Sequence, residues 1–280
     1  MQRKQAMPTW SARLTTRPAA AAGLFYPDDS HRLRSAVERL LAEAPRAAAS
    51  GRPKAIIAPH AGYSYSGPVA AAAFAPLEGA EQDIERVILI GPAHYIRFRG
   101  ICIPMVEGFE TPLGRVPLDL NALAVSAEMP GVQAADAPHA PEHALEVELP
   151  FLQVLLSRFA AVPLLVGDAR PEEVAAVLDR LWGGPETVIV VSSDLSHFQD
   201  YETARLRDAD TAVAIERGTW AGLGPGDACG YLAIAGLLVL TTRRGLEAQR
   251  LALCNSGDTA GSRDAVVGYG AWLFGDAHPC

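Results

Sequence analysis

The sequence predicts a single α/β domain with a central, largely parallel or mixed sheet and helices on both faces. Three observations predict it. The short runs Lys54-Ala-Ile-Ile-Ala58, Arg86-Val-Ile-Leu-Ile90 and Thr187-Val-Ile-Val-Val191 are β-branched and bounded by Gly and Pro, the pattern of strands buried on both faces. Helical stretches alternate with such runs along the chain. No internal repeat or low-complexity linker follows residue 50, so the 280 residues read as one domain over 17–274. A mobile tail over 1–16 and a C-terminal tail over 275–280 are expected to flank it.

The elements follow in order. Asp28-Asp29-Ser30 offers N-caps for a helix in which Leu33, Val37, Leu40 and Leu41 recur at helical spacing. Pro45 to Pro53 is a loop. A strand at 54–58 leads through a Gly-rich turn to an Ala-rich helix near 68–76. A strand at 86–90 is followed by an edge strand near 100–104, and a helix near 119–128 begins at an Asp. Residues 142–157 are helical in part, with Pro150 starting or kinking the second half. A strand at 161–166 pairs in sequence with a helix at 171–182, opened by Pro171-Glu172-Glu173. The strand at 187–191 precedes a helix near 201–216. A buried helix near 230–243 ends at Gly245, and strands near 248–254 and 265–274 finish the chain.

Composition narrows the function classes. Hydrophobic content of 49% with 20% charged residues is that of a soluble globular protein. The net charge of -8, without a long basic block, argues against nucleic acid or an anionic membrane as the main partner. It leaves room for a small anionic substrate held by local arginines. No apolar run reaches the ~18–20 residues of a membrane span, and no apolar stretch follows the basic N-terminus as in a secretory leader. Cys102, Cys229, Cys254 and Cys280 are widely spread, with no CxxC pair. A reducing cytoplasm fits them better than a disulfide framework.

The candidate chemistry lies at strand ends. In parallel sheets ligands bind in the crevice beyond the carboxyl ends of the strands. His60 and His94 each stand just past an apolar run, and the third run leads into Ser192-Ser-Asp-Leu-Ser-His197. Three imidazoles so placed can converge on a metal or acid/base pocket. Tyr63 supplies a hydroxyl near His60, and Arg97 and Arg99 after His94 suit an anionic substrate group. Asp194 is expected to orient His197 through a ring N–H. A serine triad using Ser192, Ser193 or Ser196 is disfavoured because the G-x-S-x-G elbow is missing. His139 and His143 have i, i+4 spacing, but Pro141 between them discounts the pair as a helical chelate. His143, near Glu146 or Glu148, stays a pocket candidate. Cys254 or Asp258, beyond the run Arg250-Leu-Ala-Leu253, could join two histidines as third ligand.

Taken together, Arg17-Pro-Ala-Ala-Ala-Ala-Gly-Leu-Phe-Tyr-Pro27, Pro59-His-Ala-Gly-Tyr-Ser-Tyr-Ser-Gly67, Gly91-Pro-Ala-His94, Glu142-His-Ala-Leu-Glu-Val-Glu-Leu-Pro-Phe151, Ser192-Ser-Asp-Leu-Ser-His197 and Asn255-Ser-Gly-Asp-Thr-Ala-Gly261 carry a resemblance. The chain resembles the Memo-like proteins, specifically the bacterial and archaeal AmmeMemoRadiSam system protein B. The resemblance implies a fold similar to class III extradiol dioxygenases, which use non-haem Fe(II). It implies His60 and His94 as metal ligands, His197 as a pocket acid/base and His143 as a further pocket histidine. The eukaryotic relative takes its third ligand from a cysteine in the last loop. By register from Val267-Gly-Tyr-Gly270 that position falls here near Asp258 or Thr259, which makes Asp258 the favoured third ligand and Cys254 the alternative. Asp258 would complete a facial triad suited to Fe(II), whereas Cys254 would shift the preference toward Zn or Cu. AMMECR-type and radical-SAM proteins are implied as partners, beside a small-molecule or peptide ligand. The expected function is a metal-assisted oxidation of unknown substrate, with Tyr63, Arg97 and His143 on the substrate side. A non-catalytic metal-, peptide- or protein-binding module and a metal-assisted hydrolase are the alternatives.

Overall fold

The computed structural model describes residues 15–45, 53–80 and 82–276. The chain runs β1 (Thr16–Arg17), α1 (Ser30–Glu43), β2 (Ala55–Ala58), α2 (Tyr63–Phe74), β3 (Arg86–Pro92), β4 (Ile101–Ile103), β5 (Gly108–Thr111), β6 (Gly114–Pro117), α3 (Leu120–Ala127) and β7 (Val132–Ala134). A 3-10 turn over Glu146–Glu148 leads into α4 (Leu149–Leu155). Then come β8 (Ala160–Val166), α5 (Pro171–Arg180), β9 (Thr187–Ser192), β10 (His197–Gln199), α6 (Tyr201–Glu216), α7 (Tyr231–Arg244), β11 (Leu246–Asn255) and β12 (Val266–Asp276).

Nine strands form one mixed sheet in the order β10-β12-β2-β9-β3-β8-β4-β7, with β11 paired to β12. Its centre is parallel: β2 with β9, β9 with β3, and β3 with β8. Strand β12 joins β2 antiparallel, and β4 joins β8 antiparallel. Every residue of β2 and β9 is buried. Successive side chains point to opposite faces, so both faces of the sheet centre are covered. Helices α1, α2 and α4 pack together, and α5 packs on α7. This is the α/β domain that the alternation predicts.

Local chemistry sets the helix ends. Asp29 caps α1 by accepting from the Arg32 N–H at 2.8 Å, and Leu33, Val37, Leu40 and Leu41 form its buried face. Pro171 opens α5, where the Glu173 carboxylate accepts from the Arg170 N–H. Gly245 ends α7 with φ +69°, a left-handed cap that glycine adopts without strain.

Helix α2 departs from expectation by starting at Tyr63, with Pro68 inside it. The Gly, Ser and Pro content of 62–68 reads locally as a turn, yet packing on α1 overrides it. A Cβ on Gly67 would come within 2.9 Å of Leu40 Cδ1, so a larger residue there would require Leu40 to shift. The hairpin of β5 and β6 was not anticipated. It forms a separate three-stranded sheet with β1, so Thr16, expected in the tail, is in a strand. The rest of that tail except residue 15 lies outside the described residues, as does 277–280 of the C-terminal tail, while β12 takes in 275–276. Among the described residues, no helix is long and apolar enough to cross a membrane.

A buried ionic knot ties the start of the domain to the 139–148 segment. Arg17 Nη1 lies 2.5 Å from Glu146 Oε2, with side-chain exposures of 4% and 0%. The same carboxylate accepts from the Ala20 and Ala21 N–H groups and from the Tyr26 hydroxyl. Arg17 also donates to the carbonyls of His139 and Glu142. His139 itself is buried, its Nε2 3.1 Å from Cys102 O. Burial lowers its pKa to about 3. The unfolded chain therefore takes a proton near pH 6.5 that the folded protein refuses until about pH 3. The stability from the neutral ring is present above pH 6.5 and lost as pH falls. The urea midpoint is expected to drop below pH 6.5, with up to about 1.4 kcal/mol per pH unit from this group. His139→Gln should lose that share of the slope; identical slopes would remove His139 from the account.

Candidate metal centre

Strands β2 and β3 flank β9, all three parallel, so Ala58, Pro92 and Ser192 end side by side. The residues just beyond them, His60, His94 and Asp194, are thereby brought together. His60 is buried. Its main-chain N–H donates to Asp194 Oδ1 at 2.9 Å, and its Nδ1 lies 2.7 Å from Ser192 Oγ. Nε2 is left facing inward, 3.3 Å from Cys229 Sγ and 3.9 Å from Asp194 Oδ2.

His94 is gripped by Glu142. Its main-chain N–H donates to Oε2 at 2.6 Å, and its Nδ1 lies 2.8 Å from Oε1. The His94 ring meets His60 edge-on at 5.2 Å and stacks on His143 at 4.7 Å. His143 stacks in turn on Phe25 at 4.3 Å, and its Nδ1 is 3.3 Å from the Tyr95 hydroxyl. With Nδ1 of both His60 and His94 held from outside, each ring has Nε2 free for an ion, the arrangement that orients imidazole ligands.

Cys229 precedes α7, and Gly230 lets it approach. A Cβ at Gly230 would fall within 2.8 Å of Ser193 Cβ and Oγ. His60, His94 and Cys229 offer ligand atoms all within 4.8 Å of one another, and so do His94, Glu142 and His143. The donor set of two imidazoles and a thiol fits a transition metal.

Electrostatics agree with that use. Burial brings His60 down to about 3 and His143 to about 4, which keeps both rings neutral with a lone pair to give. Burial works to raise Glu142, but hydrogen bonds from His94 and attraction to it prevail and bring the carboxyl to about 2. It is therefore the acceptor of the Nδ1–H of His94. Burial, reinforced by Asp194, pushes the Cys229 thiol well above its usual range. A cation is then needed to draw off its proton.

Other expected site residues fall elsewhere. The His197 ring is oriented by its own main chain, Nδ1 lying 2.8 Å from Leu195 O. Among the described residues no hydrogen bond joins Asp194 to His197; Asp194 Oδ1 accepts instead from the N–H groups of His60 and Ala61. Tyr63 is core: its hydroxyl donates to Val147 O at 2.8 Å and its ring packs 5.0 Å from Phe151. Arg97 is exposed and lines a cavity of about 390 Å³ together with Ile96, Phe98, Asp168, Cys229 and Tyr231.

The structure sets both expected third ligands apart from the two histidines. Asp258 is exposed and accepts from the Tyr201 hydroxyl at 2.6 Å and the Asn255 N–H at 3.1 Å. Cys254 sits half-buried in β11 opposite Tyr269. Among the described residues neither joins a group of convergent ligands. The side chain beside the two histidines is Cys229, which sequence reasoning missed. Glu142 was missed as well: it, rather than Glu146 or Glu148, is the carboxylate partner of His94 and His143.

Comparison with known proteins places the chain in a family. A family profile described as "Memo-like protein" matches residues 17–273. A "MEMO1 family protein" of Aeropyrum pernix is 35% identical, the match covering 91% of this chain and 98% of that protein. One of Aquifex aeolicus is 32% identical over 93% of this chain and 100% of its own length. One of Sulfolobus acidocaldarius is 31% identical over 92% and 98%. With its fold, its paired strand-end histidines and a match that spans the domain, the chain belongs to the Memo-like family.

Proposed function

We propose that the protein is a single-metal oxidoreductase of the non-haem type, its ion held by Nε2 of His60, Nε2 of His94 and Sγ of Cys229. The observation that carries this reading is the convergence of three donors, one of which, Cys229, lines a cavity. Structural zinc sites are closed by four protein ligands, whereas catalytic sites use three and keep a position open. An iron or copper ion bound there would supply one-electron and dioxygen chemistry.

The chain's own residues supply the rest. Glu142 and Ser192 hold the two imidazoles in place. His143, neutral and 3.4 Å from Glu142 Oε1, is placed to take a proton from a substrate hydroxyl. Ile96 and Phe98 give the cavity an apolar wall, and Arg97 stands at its edge for an anionic group. Arg97→Gln is expected to weaken a carboxylate-bearing catechol about 10-fold or more while leaving plain catechol nearly unchanged. Equal losses on both, measured by titration of the metal-loaded protein, would take Arg97 off the substrate side.

The thiol also favours a second reading, since Cys with two His suits Zn as well. Zinc-activated water would make the protein a hydrolase. Elemental analysis of protein purified without oxygen decides. About one Fe or Cu per chain, lost in His60→Ala and His94→Ala with the fold retained, supports the oxidoreductase. Stoichiometric Zn supports the hydrolase, and no metal after reconstitution would sink both.

A further inference from the structure

Beneath His60 the hydrogen atoms can be counted. Ser192 Oγ has one hydrogen and three polar neighbours: Ala144 O at 2.7 Å, His60 Nδ1 at 2.7 Å and Glu148 Oε1 at 2.9 Å. A carbonyl only accepts, so the hydroxyl hydrogen goes to Ala144 O. The other two contacts then need donors of their own. His60 must carry its hydrogen on Nδ1, and Glu148 must carry a proton on Oε1.

The surroundings of Glu148 fit a neutral acid. Its side chain is fully buried, and among the described residues no cation pairs with it. Its Oε2 has no hydrogen-bond partner. A neutral carboxyl leaves only a carbonyl oxygen bare there, whereas an anion would leave charge unsolvated at greater cost. Burial, reinforced by Asp194 and opposed by Ser192, holds the carboxyl well above the usual carboxylate range.

We propose that Glu148 is a neutral carboxylic acid that, through Ser192, locks His60 in the Nδ1–H tautomer and turns the Nε2 lone pair toward Cys229. Glu148 and Ser192 are then positioning residues, acting on the metal site through His60. The consequence for metal affinity rests on the reading of His60 as a ligand; the protonation and tautomer assignments do not.

The test begins on metal-free protein at pH 7. The infrared difference between wild type and Glu148→Gln should show the carbonyl stretch of a neutral carboxylic acid, present only in the wild type. Nitrogen-15 correlation of the His60 ring, assigned by loss in His60→Ala, should report hydrogen on Nδ1. Titration with Co(II) alone follows. Glu148→Gln, whose amide can still donate to Ser192, should bind within about threefold of wild type. Ser192→Ala should lose about 10–100-fold, the usual cost of removing a hydrogen bond that orients a ligand. A missing carboxylic acid band, hydrogen on Nε2, or a Glu148→Gln loss as large as that of Ser192→Ala would each overturn the proposal. Should wild type bind no Co(II), the metal reading fails, while the infrared and tautomer results still decide the state of Glu148 and His60.

Discussion

Cys229→Ser is expected to lower metal affinity by more than about 100-fold, while Cys254→Ser and Asp258→Ala leave it within about threefold. Loss of an orienting partner alone costs 10–100-fold, and loss of a direct donor should cost more. Serine matches the shape of cysteine, so the fold should persist. Its hydroxyl, however, ionises far less readily than a thiol and is a poorer partner for soft or borderline ions. The Sγ of Cys229 lies 3.3 Å from His60 Nε2. Asp258 is spent on Tyr201 and Asn255 in the exposed turn just past β11, and its removal should loosen that turn without reaching the histidines. The measurement is competition titration with a chromophoric chelator. Wild-type affinity in Cys229→Ser, or metal loss in Asp258→Ala, would return the third ligand to the last loop.

That contrast shows which features were legible in the sequence. Strand ends were legible because buried parallel strands are written as short β-branched runs, and a residue one or two places past such a run must lie at the carboxyl edge of the sheet. His60 and His94 follow from that rule, and so does Asp194. Cys229 does not, because it precedes a helix rather than following a strand. The available signal was the pair Cys229-Gly230 directly before an apolar helix, where a glycine can mark close approach as well as a turn. It points to contact but not to the partner, Ser193, which is 37 residues earlier. The glutamates of 142–148 were ambiguous for a similar reason. Their spacing suggests a shared face, yet the 3-10 turn at Glu146–Glu148 sends Glu142 to His94, Glu146 to Arg17 and Glu148 to Ser192. The small sheet of β1, β5 and β6 was hidden because its strands span two to four residues, too short for alternation to register.

Glu146→Gln is expected to destabilise the protein by roughly 3–5 kcal/mol, the cost of breaking a buried ion pair from one side. The carboxylate accepts from a guanidinium, two amide N–H groups and a tyrosine hydroxyl. A glutamine keeps one acceptor oxygen and, in either orientation, turns an N–H₂ toward a main-chain N–H that can only donate. Arg17 keeps its carbonyl partners at His139 and Glu142 but loses its counter-charge in a site with almost no solvent. The pair itself is not expected to add comparable net stability, because removing two charges from water offsets most of their attraction. Arg17→Met with Glu146→Gln should therefore be less harmful than Glu146→Gln alone, since no bare charge is left behind. Urea midpoints for both single variants and the double variant complete the cycle. A single-variant loss below about 1 kcal/mol, the level of an exposed pair, would show that water reaches the knot. Because Arg17 also holds the carbonyl of Glu142, the same variant should loosen the grip on His94. A fall in metal affinity without any change at Cys229 would link the first motif of the domain to the proposed metal site.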